Sequence, residues 1–167
     1  SGDGPPLKAI LHLAALDESD DQKKLCGSIL DLVHALVRHP QNAPPRLCLV
    51  TRGTQPVDQT KRVTSASGGT LWGLVNTLSV EYPEFRAIAV DLDPDRKAEG
   101  AQFILEEVLS DDRENRVAVR KNLRYVQRLA KLPVRDGIQP VALRQDATYL
   151  ITGGLGRMGL QTAAWMV

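Results

Sequence analysis

The chain has 167 residues, a formal net charge of +1 and only 4% aromatic residues. It is long enough to bury a core, too near neutral and too poor in aromatics for a nucleic-acid surface, and without an apolar run that would span a membrane. The opening Ser1-Gly2-Asp3-Gly4-Pro5-Pro6 has no signal-peptide pattern, and Ser1-Gly2 reads as a cloning remnant. Cys26 in a helical pattern and Cys48 in a strand pattern read as reduced core thiols. A cytoplasmic location is expected.

In chain order, strand-like and helix-like segments alternate. Ala9-Ile10-Leu11-His12-Leu13 is a short apolar run suited to a buried parallel strand. Ser19-Asp20-Asp21-Gln22 carries a capping-box signal, a hydroxyl followed three residues later by an amide. The helix it opens has Leu25, Ile29, Leu32, Val33 and Leu36 on one face, and Pro40 and Pro44-Pro45 close it. Arg46 to Thr51 is a second buried strand. The polar stretch from Arg52 to Gly69 reads as a long loop. A helix follows from about Thr70 to Glu81, with Leu71, Leu74, Val75 and Leu78 on one face, and Pro83 ends it. Phe85 to Asp91 is a third strand. Pro94-Asp95 lead into a helix carrying Ala101, Ile104, Leu105 and Val108. Arg116 to Arg120 and Leu123 to Arg128 are shorter strands, the first half-buried by its alternation. Residues 131–147 hold Pro133, Gly137 and Pro140 with no sustained period and read as a linker. Thr148 to Thr152 is a last strand, and Leu160 to Val167 begins a helix.

This alternation predicts an α/β fold. Residues 1–130 form a truncated Rossmann-like parallel sheet with helices on both faces. After the linker, residues 148–167 form the first βα unit of a second Rossmann fold. The first unit lacks the means to hold a nucleotide. The turn after its first strand, Ala14-Ala15-Leu16-Asp17-Glu18, has no glycine to admit a phosphate, and Asp17, Glu18, Asp20 and Asp21 would repel one. Its expected role is structural.

The motif that carries chemistry is Thr152-Gly153-Gly154-Leu155-Gly156-Arg157-Met158-Gly159, a glycine-rich turn between strand and helix. One glycine makes the turn, one lets backbone approach a phosphate, and one lets the helix pack closely. The helix N-terminus offers unpaired N–H groups and partial positive charge to the anion. Gly156 is expected where the backbone meets the pyrophosphate. Gly53, after the second strand, is expected to accept alanine unless its backbone needs a positive φ. Arg157 keeps two readings: a solvated side chain, or a guanidinium for the 2′-phosphate of NADP.

The run Thr148 to Gly159 resembles the cofactor loop of ketoreductase domains in modular polyketide synthases, within the short-chain dehydrogenase/reductase family. Upstream residues are similar to the same family in order: Leu11 to Asp17, Pro45 to Gly53, Leu71-Trp72-Gly73-Leu74 with Glu81-Tyr82-Pro83-Glu84, Val90 to Asp93, and Asn115 to Leu129. The resemblance implies a cofactor-free structural subdomain bracing a catalytic subdomain that binds NADPH through residues 152–159. The implied reaction is reduction of a β-keto group on a chain held by acyl carrier protein through a phosphopantetheine thioester. Implied partners are the rest of the catalytic subdomain, the carrier protein and other synthase domains.

The chain departs from the family by beginning late and by ending after the first βα unit, so it reads as a fragment. The family's catalytic Tyr, Ser and Lys would lie beyond Val167. No catalytic residue is assigned here, and Tyr82, Tyr125 and Tyr149 occupy structural contexts. No metal site is expected, because His12, His34 and His39 have no second ligand at metal spacing. The linker is too short to hold an inserted enoylreductase. The basic stretch Arg113, Arg116, Arg120, Lys121, Arg124, Arg128, Lys131 and Arg135 reads as a solvated strand face, or as guidance for an acidic carrier protein or NADPH. The alternative to a reductase fragment is a catalytically silent scaffold. A third reading, an unrelated short-chain dehydrogenase with an N-terminal extension, fits the ordered match poorly.

Overall fold

Apolar runs with both faces to bury can satisfy their backbones only by pairing with like runs. The first four strands do so in parallel, but the first, at the sheet edge, is only partly buried, with Leu11 exposed, unlike the buried strand expected there. The computed structural model describes residues 5–17, 21–57, 63–96, 100–131 and 142–167. Residues 1–129 form one unit and residues 130–167 a second.

In the first unit the elements are β1 (Ala9–His12), α1 (Gln22–Arg38), β2 (Arg46–Arg52), α2 (Gly69–Glu81), β3 (Ile88–Leu92), α3 (Ala101–Leu109), β4 (Arg116–Arg120) and β5 (Leu123–Val126). The sheet runs β1-β2-β3-β4-β5. Ile10 lies opposite Leu47, Thr51 opposite Asp91 and Val90 opposite Val117 in parallel register. β5 is antiparallel to β4, with Ala118 opposite Tyr125. Lys121 and Asn122 both have positive φ between these strands, the backbone of a two-residue hairpin turn.

Alternation sorts the sheet into two faces. Leu47, Leu49, Ala87 and Ala89 pack against Ile29 and Val33 of α1 and Leu71, Val75 and Leu78 of α2. Cys48, Val50, Ile88, Val90, Val117 and Val119 pack on the other face with Ile104 of α3. All three parallel crossovers advance in one direction, yet α3 lies on the face opposite α1 and α2. The third crossover therefore has the opposite hand to the first two, against a strong general preference. Among the described strands the order never reverses, and the connections after β2 and β3 leave toward opposite faces of the sheet.

Several sequence expectations shift. The cap of α1 is Asp21, whose carboxylate accepts from Lys24 N at 3.0 Å; Ser19 and Asp20 lie outside the described residues. Phe85 belongs to a 3-10 turn, Pro83–Phe85. Arg86, left-handed at φ 44°, redirects the chain there, and the strand starts at Ile88. In α3, Leu105 is exposed and Glu107 is buried, so the inward face differs from the apolar pattern.

The second unit contains α4 (Arg157–Met166). The strand expected over 148–152 is not formed. A strand exists only with a neighbour to share its N–H and C=O groups, and none is paired with it among the described residues. Pro133, Gly137 and Pro140 of the expected linker, and Arg135 of the basic stretch, lie outside the described residues.

Candidate functional site

In the second unit, the glycine-rich segment folds as a turn over Thr152–Leu155 leading into α4. Gly153 sits at φ +70°, a conformation that disfavours any side chain. Gly156 N donates to Gly153 O at 2.9 Å and closes the turn. Gly156 is the N-cap of α4 and supplies no side-chain bond to the first turn, where helix N–H groups have no intrahelical acceptor.

The glycines differ in what they permit. A Cβ on Gly159 would lie 2.4 Å from Gly153 O and 2.5 Å from Gly154 Cα. Gly159 is thus the position where helix meets turn. A Cβ on Gly156 would find only Gly153 O, at 3.3 Å. That contact is tighter than most, and Gly153 O, which accepts from Gly156 N, would have to give by a few tenths of an ångström. Leu155, Met158 and Arg157 are exposed, and Thr162 Oγ1 donates to Met158 O at 2.9 Å. The expected site residues, Thr152 to Gly159, therefore lie in one continuous turn and helix start.

In the first unit, the carboxyl ends of the strands are filled by the protein itself. Asp91, at the end of β3, is fully buried. Its carboxylate accepts from Thr51 Oγ1 at 2.7 Å, Thr54 N at 2.9 Å, Gln55 N at 3.0 Å and Arg120 Nη2 at 2.6 Å. Trp72 Nε1 donates to Thr51 Oγ1 at 3.1 Å. The Arg120 side chain is only 8% exposed. This is where an α/β sheet otherwise receives a ligand.

Sequence reasoning missed this cluster. Its signal was an aspartate inside the buried run Ile88-Ala89-Val90-Asp91-Leu92, since a carboxylate there requires partners.

Of the basic stretch, Arg113, Lys121, Arg124, Arg128 and Lys131 are exposed as expected, and Arg120 is the buried exception. Arg124 Nε and Nη2 reach Glu107 at 2.5 and 3.0 Å, and Arg128 brackets Glu114 at 2.6 and 2.9 Å. Arg116 Nη1 donates to Gln127 Oε1 at 2.5 Å. Much of the stretch is therefore bonded within the unit. Arg46, also buried, donates to the carbonyls of Glu107, Val108 and Ser110 at 2.6 to 3.2 Å and caps α3. Burial pushes the Cys48 thiol up to about 12. Tyr82 stacks on Phe85 with centroids 5.8 Å apart, and Tyr149 Oη accepts from Arg144 N at 2.8 Å.

Residues 3–129 match the family described as the Rossmann fold domain of the polyketide synthase extender module SpnB. The chain belongs to that family. It is 34% identical, over 98% of its length, to a phenolphthiocerol/phthiocerol polyketide synthase of Mycobacterium tuberculosis. It is 32% identical, over 90% of its length, to a 6-methylsalicylic acid synthase of Arthrobotrys oligospora. It spans only 9% and 8% of those proteins. Among solved structures it resembles a C2-type ketoreductase from a modular polyketide synthase, with TM-score 0.63 and 27% identity, covering 76% of this chain and 29% of that one. A keto acid-selecting nonribosomal synthetase module shares the fold at TM-score 0.72 and 21% identity, covering 95% of this chain and 14% of that one.

The polyketide synthase region represented here is thus ketoreductase-like, and its relatives are multidomain proteins. No helix among the described residues is long and apolar enough to cross a membrane.

Proposed function

We propose that this region belongs to a β-ketoreductase domain, with residues 1–130 as its bracing, cofactor-free part and residues 148–167 as the start of its NADPH-binding part. The observation that carries the reading is the division of labour in the glycine turn. A Cβ at Gly159 would clash with the turn backbone, whereas one at Gly156 would meet Gly153 O alone among the described residues, at the helix N-terminus where a pyrophosphate would bind. Thr152 to Gly159 would hold that pyrophosphate through backbone N–H groups. When bound, the dinucleotide supplies hydride to a β-keto group, here on a substrate carried as a thioester by acyl carrier protein. Neighbouring synthase domains are the expected partners.

The second reading, a silent scaffold, draws on the filled carboxyl end of the first unit. NADPH fluorescence titration of the complete ketoreductase domain separates the two. Gly156→Val should weaken NADPH binding about a hundredfold, which is roughly 2.7 kcal/mol, with circular dichroism unchanged. Wild-type affinity in Gly156→Val would overturn the assignment of that glycine. A complete domain that binds no NADPH would favour the scaffold.

A further inference from the structure

The place in the first unit where a ligand would otherwise sit has a specific chemistry. Arg120 Nη1 donates to the carbonyls of Asp91 and Leu92, both at 3.1 Å, and of Val119 at 2.7 Å. Arg120 Nη2 donates to Gln55 O at 2.8 Å and to Asp91 Oδ2 at 2.6 Å. These acceptors come from β3, β4 and the loop after β2. They surround a planar fork; an ammonium, a compact point charge with three donors, does not match them.

The receiving carboxylate is fixed without Arg120. Thr51 Oγ1, Thr54 N and Gln55 N all donate to it. Asp91 is fully buried, and hydrogen bonds shielded from water are stronger.

We propose that the carboxyl end of this sheet is a guanidinium-binding site occupied in cis by Arg120, so that shortening Arg120 makes it a receptor for a free alkylguanidinium. The receptor is assembled by the strand ends, and the arginine is its ligand. The proposal is independent of any cofactor at residues 152–159.

The test uses the full chain with Arg120→Ala, in a Trp165→Phe background so that emission reports Trp72, which is bonded to Thr51 at the rim of the cradle. Ethylguanidinium at millimolar concentration is compared with ethylammonium and sodium chloride. Arg120→Ala should unfold at lower temperature than its parent. Ethylguanidinium should raise that temperature and shift Trp72 emission, the emission shift saturably. Above its Kd, the apparent unfolding constant should fall tenfold for each tenfold rise in ligand. The parent with Arg120 intact, and the double variant Asp91→Asn/Arg120→Ala, should show neither effect.

Equal responses to ethylammonium or sodium chloride, equal rescue of the double variant, or no response to ethylguanidinium would each overturn the proposal. If Arg120→Ala does not fold alone, refolding yield becomes the readout. Recovery with ethylguanidinium and not with ethylammonium supports the site, and recovery with neither overturns it.

Discussion

Gly53→Ala probes the turn that carries the chain off β2. Gly53 has φ +62°. Its N–H donates to Leu92 O at 3.0 Å, and its carbonyl accepts from Thr64 N at 2.8 Å and Ser65 N at 3.3 Å. The turn is bonded on both sides and cannot relax to negative φ without losing those bonds. An alanine Cβ would lie 2.0 Å from Thr64 Oγ1 and 3.0 Å from Pro94 Cβ. The Thr64 hydroxyl can rotate away, but the backbone cannot, so the tolerance of alanine expected from the sequence is replaced by strain. Holding a non-glycine residue there costs about 1–3 kcal/mol. At roughly 4 °C per kcal/mol for a unit of this size, Tm should fall by about 4–12 °C. Gly27→Ala is the internal standard. Gly27 lies in α1, and a Cβ there meets nothing within 4 Å. Alanine should add about 0.5–1 kcal/mol, so this variant should melt roughly 2–4 °C higher. Scanning calorimetry on the full chain measures both. A Gly53→Ala transition within about 1 °C of wild type would refute the positive-φ requirement.

Arg124→Ala strands the buried Glu107 carboxylate and should cost about 1.5–3 kcal/mol, whereas Arg128→Ala, at a solvent-screened pair, should cost far less; urea titrations giving equal losses would undo that distinction. His12 Nε2 lies 2.9 Å from Ser28 Oγ while Nδ1 is buried and has no hydrogen-bond partner among the described residues. Burial lowers its pKa from 6.5, with a smaller opposing effect from its own backbone. The unfolded chain therefore binds more protons just below that value, so His12's contribution is present above pH 6.5 and is lost as pH falls below it. His12→Gln should flatten stability over that window, and an unchanged slope would show that other groups set it. Cys48, fully buried and with its thiol pushed up to about 12, should resist iodoacetamide at about pH 8, where only about one thiol in ten thousand would be ionised. Native-state labelling at Cys48, read by mass spectrometry, would contradict its burial.

Where the sequence reading held, one residue's neighbours along the chain decided its state. The spacing of Leu25, Ile29 and Val33 sufficed for α1, and the alternation of Val117 and Val119 sufficed for β4. Where it failed, the deciding partner was remote. Glu107 looks like a solvent residue until Arg124 is placed beside it, and Arg120 looks solvated until Asp91 is placed under it. The segment 148–152 has strand composition, but strand formation belongs to a pair. The glycines separate along the same line. Gly153 is required by its own φ and Gly159 by the backbone atoms it approaches. Gly156, at φ −78°, would ask Gly153 O to give only a few tenths of an ångström. That residual glycine, in a unit with no side-chain cap on its helix, is what favours an anion at the second unit over the scaffold reading. The first unit fits the bracing part of either reading, because its own guanidinium already occupies the ends of its strands.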